Sequence, residues 1–255
     1  MLIQGDANAL EWRAAAFLSQ DKTAHKEIWA EVDQHTDNQL RLNLPSRLIA
    51  KTFVFRLIYG GSAYSYANDP DFASVSKSEK YWQDTIDQFY TKYHGLKKWH
   101  ENLMKEATTK NCVTLPTGRV YYYEPKQQRG EMVWPRTTIL NYPVQGLGAD
   151  IMAIARVSLH SRLKRLAIPE VKLVNTVHDS IIIDAPDQYT EQLSRLILDT
   201  FETVPKNFEK LFGVPFNLPM KAEVEFGKVW CSKYEKLKDG SKVLKNPDGM
   251  EIFVA

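Results

Sequence analysis

Residues 44–61, LPSRLIAKTFVFRLIYGG, constrain this chain more than any other stretch. At helical spacing Arg47, Lys51, Phe55 and Tyr59 recur every four residues, so two permanent cations and two aromatic rings share one side of one helix. That row drifts by only about 40° per step, so the four do not divide cleanly between a wet face and a dry one. Cations beside stackable rings suit a ligand that is anionic at one end and flat at the other, as a nucleotide is. The competing reading is an ordinary surface helix with cations outside and rings inside. Pro45 is acceptable in the first turn, Ser46 or Asn43 supplies the cap, and Gly60-Gly61 ends the run, which predicts a helix over 45–60.

Taken in order, the chain opens on a short apolar run that reads as a strand, breaks at Gly5-Asp6 and continues as an Ala-rich helix. Asp6 therefore sits at a strand-to-helix junction, where a carboxylate caps the helix or holds a cation. A helical segment over 24–32 follows, then the polar string DQHTDNQ, in which His35 reads as a solvated loop residue. Residues 65–77 read as a loop, and an amphipathic helix runs over 78–107 with an interruption near His94-Gly95. The segment 111–124 alternates around Pro-Thr-Gly and predicts a β-hairpin, followed by a basic connector. A second long helix spans 138–166, with Asn141 and Gln145 at its polar start. In VKLVNTVHDSIIIDAP two β-branched runs flank His178-Asp179, a hairpin over 171–185 with a polar pair at its tip. Helix is expected over 188–204 and strand over 220–227, and the Lys-, Asp- and Gly-rich tail 236–255 reads as peripheral.

Composition excludes more than it identifies. Lys and Arg exceed Asp and Glu by 33 to 31, so net charge does not by itself announce a nucleic-acid binder. The two cysteines, Cys112 and Cys231, have neither CxxC spacing nor metal-like partners, which suits a reduced compartment. No signal-peptide pattern or membrane-spanning run is legible, so the expected location is cytoplasmic, the host cytoplasm if the source is viral. If the strands that carry Asp6 and Asp179 share a sheet, their carboxylates meet at its edge and suit Mg²⁺, which takes a few carboxylate oxygens, waters and phosphates. Such a pair, with a cationic nucleotide-facing helix, suggests two-metal phosphoryl or nucleotidyl transfer.

These residues resemble the A-family DNA polymerases, bacterial DNA polymerase I and the T7-like phage polymerases among them. DANALEWRAAAFLSQD is similar to the family's motif A through Asp6, Glu11 and Arg13. The stretch over 47–60 matches every fixed position of motif B, RxxxKxxxFxxxYG, and VHDS resembles motif C, usually VHDE. NYPVQG resembles the segment ahead of motif C, with Asn141 and Gln145, and HTDNQLRLNLPSRLIAKTF brings His35 into register with a family histidine of the nucleotide pocket. The resemblance covers roughly residues 1–235.

It implies an α+β fold with an antiparallel palm sheet and a largely helical fingers subdomain, a right-hand polymerase architecture lacking its thumb. The expected divisions are palm 1–21, fingers 22–137, palm 138–235 and tail 236–255. It implies template-directed addition of dNTPs to a primer 3′ hydroxyl, with two Mg²⁺ ions held by Asp6, Asp179 and the Ala7 carbonyl. Arg47 and Lys51 would grip the triphosphate, with Lys51 a proton donor to pyrophosphate. Phe55 would pack by the sugar, disfavouring dideoxynucleotides, Tyr59 would stack at the templating position, and Glu11 would crowd a ribose 2′ hydroxyl. Arg13, Asn141, Gln145 and His178 would contact primer-template DNA. Ser180 replaces the usual motif C Glu, which implies weakened chemistry, and Ala7 replaces a common Tyr or Ser. Thr137 stands where many relatives carry Arg, which leaves open whether adjacent Arg136 substitutes.

With motif A at residue 6 there is no room ahead of it for a thumb, which leads to the expectation of a split phage polymerase or a truncated product. In the split case a second polypeptide supplies the thumb, possibly a 3′–5′ exonuclease, and strands beside Leu2 and Ile3. Two other readings compete: a non-catalytic polymerase-like module that holds DNA or a partner, and an unrelated metal-dependent phosphohydrolase. The latter leaves the aromatics of motif B unexplained.

Overall fold

The computed structural model describes residues 1–128, 130–236 and 241–254. The chain opens with strand β1 (Leu2–Ala7) and helix α1 (Leu10–Ser19), followed by α2 (Lys22–Trp29), α3 (Gln34–Arg41) and α4 (Arg47–Ile58). Two short helices, α5 (Ala63–Ala67) and α6 (Pro70–Ala73), lead to the long α7 (Glu79–Lys92) and α8 (His94–Lys110). Hairpin β2 (Cys112–Thr114) and β3 (Val120–Tyr122) precedes hairpin β4 (Lys126–Gln128) and β5 (Glu131–Val133), and α9 (Arg136–Leu166) follows. Then come β6 (Lys172–Val177), β7 (Ser180–Asp184), α10 (Thr190–Glu202), α11 (Val204–Phe212) and β8 (Ala222–Gly227). The tail adds β9 (Tyr234–Lys236), β10 (Lys242–Leu244) and β11 (Glu251–Ile252).

Two compact units result, one of Met1–Leu10 with Gly148–Ala255 and one of Glu11–Leu147. The division between the two units falls within α1 and α9. Helix α1 belongs with the helical unit because Trp12 packs its ring edge-on against Tyr93 at 5.1 Å and the His25 ring bonds the Ala16 carbonyl at 3.0 Å. The start of α9 belongs there because Ile139 and Leu140 are buried among Leu103, Ala107, Val113 and Tyr123.

The first unit is built on an antiparallel sheet of order β11-β8-β1-β7-β6. Register pairs Asp6 with Ser180 of β7 on one side and with Glu223 of β8 on the other. The expectation that Leu2 and Ile3 need strands from another polypeptide does not hold, because β7 and β8 of this chain flank them: Ile3 pairs with Ile183 and with Phe226. One sheet face is sealed under α10. At Gly5 a Cβ would stand 2.2 Å from Ile197 Cγ2, so only glycine lets strand and helix approach this closely. The tail is not wholly peripheral: β11 extends the sheet beside β8, and Phe253 N–H donates to the Val224 carbonyl at 2.7 Å.

The helical unit is organised by an aromatic cluster under α4. Phe53, Tyr66, Phe72, Trp82, Phe89 and Tyr93 are all fully buried. Phe53 lies 5.0 Å from Tyr66, Tyr66 lies 5.3 Å from Trp82, and the Tyr66 hydroxyl donates to the Phe53 carbonyl at 2.8 Å. Each ring contributes about 1.5–3 kcal/mol through burial, which outweighs local propensity in setting the helix positions.

Capping explains where the sequence reading needs correction. Residues 65–77 are not a plain loop: Ser62 and Ser65 form a capping box for α5, and Asp69 caps α6 with Pro70 in its first turn. The polar string around His35 is not a loop either, because Asp33 caps α3 by accepting from the His35 and Thr36 N–H groups. At the interruption near residue 94, buried Asp21 serves two helices at once. Its Oδ1 accepts from Thr23 and Ala24 to start α2, and its Oδ2 accepts from Gly95 and Leu96 to start α8. The connector after β3 folds back as hairpin β4–β5, pairing Lys126 with Val133. No helix among the described residues is long and apolar enough to cross a membrane.

Candidate functional site

Within the sheet unit, two of the sequence-identified residues meet at adjacent strand ends. Ala7 N–H donates to the Asp179 carbonyl at 2.9 Å, which ties the end of β1 to the β6–β7 turn. That turn has only two residues, His178 and Asp179, because Val177 pairs directly with Ser180. His178 occupies the left-handed region, φ +51°, a conformation a side chain rarely adopts, and it is exposed. Asp6 and Asp179 are half-buried, and Ala7 is buried. Ser180 is buried too, and its hydroxyl is committed to the Val177 carbonyl at 2.9 Å.

The donor set offered here is two carboxylates on hydrogen-bonded neighbouring strand ends, all hard oxygen. It fits Mg²⁺, which retains several waters and takes its remaining ligands from phosphates. Among the described residues no group of three or more His, Cys, Asp or Glu side chains is placed to hold a metal, so the set is a minimal one.

Within the helical unit, α4 separates the two kinds of residue that its sequence interleaves. Ala50, Phe53, Val54, Leu57 and Ile58 form its buried stripe. Arg47 and Lys51 are exposed, and Phe55 and Tyr59 half-buried, on the other side. Ser46 caps the helix by accepting from Ile49 N–H at 3.2 Å, with Pro45 just outside, and Tyr59 is its C-terminal cap. Gly60 follows at φ +87°, a backbone conformation that glycine adopts readily and other residues rarely do.

The open face is joined by residues from three other elements. The His35 ring packs on Phe55 at 5.5 Å, Lys51 Nζ stands 5.9 Å from the Phe55 ring centre, and the Phe55 and Tyr59 rings stack at 6.4 Å. Gln145 of α9 donates to the Tyr59 hydroxyl at 2.7 Å. Burial, with Glu11's negative charge, pushes that hydroxyl above the usual phenol range, while the Gln145 bond opposes the shift. Burial also pushes the His35 imidazole down to about 4, helped by the neighbouring Arg47 and Lys51 charges and opposed by Asp33.

A residue that sequence reasoning passed over anchors Arg47. Asp33 Oδ2 accepts from Arg47 Nε at 2.7 Å and Oδ1 accepts from Nη2 at 3.1 Å, a fork-to-fork pair. Arg47, chiefly through these hydrogen bonds, holds the Asp33 carboxyl well below the usual carboxylate range. The signal was present in Asp-x-His-Thr, an N-cap pattern, although nothing local links it to a residue 14 positions away.

A cavity of about 760 Å³ opens beside this face, lined by Lys51, Phe55, Tyr59, Thr137, Asn141 and Tyr142 among others. Among the described residues the buried Oδ1 of Asn141 has no hydrogen-bond partner. Arg136 is exposed at the start of α9, and its charge acts on buried His100. Arg13 differs from an open DNA-contacting cation: it is buried, and burial lowers its pKa while Glu31's charge opposes that shift.

Comparison with known proteins identifies the family and the fold. The sequence model of DNA polymerase family A matches residues 1–232. The chain is 26% identical to DNA polymerase I of Bacillus caldotenax over 240 residues, covering 90% of this chain and 26% of that protein. Against the thermostable DNA polymerase I of Thermus aquaticus it is 26% identical over 245 residues, covering 92% of this chain and 27% of that one. It thus spans about a quarter of the length of these relatives. The fold is shared with the polymerase domain of Pol1 from M. smegmatis, solved in complex with DNA primer-template and dNTP. That match has a TM-score of 0.73 at 20% identity and covers 88% of this chain and 38% of that one. With motif A running from the end of β1 into α1, motif B on α4, motif C at the β6–β7 turn and the family match spanning nearly the whole chain, this protein belongs to DNA polymerase family A.

Proposed function

We propose that the chain carries the nucleotide-incorporating part of a template-directed DNA polymerase, adding dNTPs to a primer 3′ hydroxyl. The observation that carries this reading is α4, which buries a complete apolar stripe and leaves Arg47, Lys51, Phe55 and Tyr59 together on its other side. A core helix has no use for such a face, whereas a triphosphate, a sugar and a base need each of its members. Arg47 and Lys51 neutralise the phosphates, and Lys51 serves as proton donor to the leaving pyrophosphate. Phe55, backed by His35, bounds the sugar, and Tyr59, held by Gln145, closes the templating position. Glu11 excludes a 2′ hydroxyl.

Asp6 and Asp179, with the Ala7 carbonyl, would hold two Mg²⁺ ions. When bound, these ions lower the pKa of the primer hydroxyl and neutralise charge on the triphosphate. The protein's own contribution is to hold the two carboxylates on hydrogen-bonded strand ends, so that little reorganisation is needed. Asn141, Gln145, His178 and Arg136 are assigned to primer-template contacts that do not depend on sequence, and buried Arg13 is left out of that set. A second polypeptide adding grip on the duplex belongs to the same proposal. A lone monomer that extends primers processively would refute that part.

Primer extension by the full chain with Mg²⁺, comparing wild type with Asp6→Ala and Asp179→Ala, tests the central reading. Each variant should lose activity, and a variant that matches wild type removes its aspartate from the mechanism. One observation favours a second reading, a DNA-holding module without catalysis: Ser180 turns its hydroxyl to Val177 where relatives carry a carboxylate. On that reading the wild type binds primer-template but extends nothing.

A further inference from the structure

Arg47 offers two hydrogen-bonding edges, and the structure uses only one. Its Nε and one N–H of Nη2 are taken by Asp33. Among the described residues the opposite edge, Nη1 with the second N–H of Nη2, has no partner. A planar guanidinium presents its five N–H groups in a fixed fork, so fixing one edge fixes the direction of the other.

The Asp33 carboxylate is itself immobilised from several sides. Oδ1 accepts from His35 N–H at 3.1 Å and Thr36 N–H at 3.3 Å, and Oδ2 accepts from the Thr36 hydroxyl at 2.8 Å. One carboxylate thus starts α3, sets the backbone of His35 and grips the first residue of α4. His35 in turn packs on Phe55, so Asp33 reaches two members of the nucleotide-facing surface.

We propose that Asp33 is a positioning residue for Arg47. By holding the Nε edge of the guanidinium, it turns the Nη1/Nη2 edge outward as a preformed dock for a phosphate chain. The proposal rests on the reading of Arg47 as a triphosphate ligand. It goes beyond that reading in naming the residue that orients Arg47 and the edge that meets the phosphate. The opposite possibility is that Asp33 only competes with phosphate for Arg47, and the two differ in sign. An orienting carboxylate tightens phosphate binding, whereas a competing one weakens it.

Asp33→Asn separates them with little effect on the fold, because Asn caps helices about as well as Asp. Its carbonyl can still accept from His35 and Thr36, but its amide then faces Arg47 donor to donor. The readout is equilibrium binding of sodium tripolyphosphate to the full chain, alongside primer-extension KM and kcat for dNTP on the same preparations. Asp33→Asn and Arg47→Ala should each weaken tripolyphosphate binding by about tenfold, the scale of one lost charge-assisted contact. In extension the loss should fall mainly on KM, and Asp33→Asn should add nothing in the Arg47→Ala background.

Arg47→Lys leaves the cap untouched and carries the same test: charge is kept, the fork is lost, and the same weakening is expected. Binding by Asp33→Asn that equals or exceeds wild type overturns the proposal. So does a further loss in the Arg47→Ala background, wild-type behaviour of Arg47→Lys, or a wild type that does not bind tripolyphosphate. A wild type that binds tripolyphosphate but extends no primer overturns the polymerase reading and leaves the dock standing.

Discussion

Gln145 Nε2 donates to the Tyr59 hydroxyl at 2.7 Å, joining the C-terminal cap of α4 to α9 across 86 positions of sequence. Tyr59→Phe removes the acceptor and should cost about 0.5–1 kcal/mol in denaturant unfolding, since exposed Gln145 can turn to water. Gln145→Leu should then cost nothing more in the Tyr59→Phe background. Fully additive losses would mean that the bond contributes no coupling.

Lys51 is exposed beside the Phe55 ring and, among the described residues, makes no hydrogen bond or ion pair. Lys51→Ala should therefore leave the melting temperature within a degree or two while lowering the maximal incorporation rate by about 100-fold or more. Pre-steady-state kinetics and primer-template binding on the same preparation check this. Equal loss in rate and in DNA affinity would contradict a role in the chemical step.

Two buried histidines set a pH dependence. Burial, helped by Arg47, pushes His35 down to about 4, and burial, helped by Arg136, pushes His100 down to about 3. In the unfolded chain both bind protons near pH 6.5. Below that pH the unfolded state holds more protons than the folded one, so stability rises with pH in this window. The contribution is fully present above about pH 6.5 and falls away on acidification towards about 4 for His35 and about 3 for His100. Urea midpoints at neutral and mildly acidic pH should show the decline, and His35→Gln should reduce it. By NMR the His35 ring should titrate near 4, and Arg47→Gln should move it upward. Titration at the ordinary histidine value would refute the burial argument.

At Gly5 strand β1 runs close under α10, with a Cβ site 2.2 Å from Ile197 Cγ2. Gly5→Ala should destabilise by about 1–3 kcal/mol through overpacking. Ile197→Ala destabilises by itself through lost burial, yet combined with Gly5→Ala it should cost less than the sum of the two. Additive costs in chemical denaturation would show that Ile197 is not what the new methyl meets.

The sequence by itself determined the local devices. The four-residue spacing of Arg47, Lys51, Phe55 and Tyr59, a cap at Ser46 or Asn43, the Gly60 terminus and the polar turn at His178-Asp179 all follow from helical period, capping chemistry and β-branched runs. Only the tertiary structure decided which partners those devices meet. Asp33 reaches Arg47, Asp21 starts α8 as well as α2, and β11 returns to β8 although its composition reads as surface. His35 is buried in a helix although its neighbours are polar. Period and propensity act over a few residues, whereas Asp33–Arg47 joins positions 14 apart and Asp21–Gly95 positions 74 apart. Which carboxylate meets which cation at that range depends on how buried apolar faces stack, and the large buried aromatics beneath α4 set that stacking.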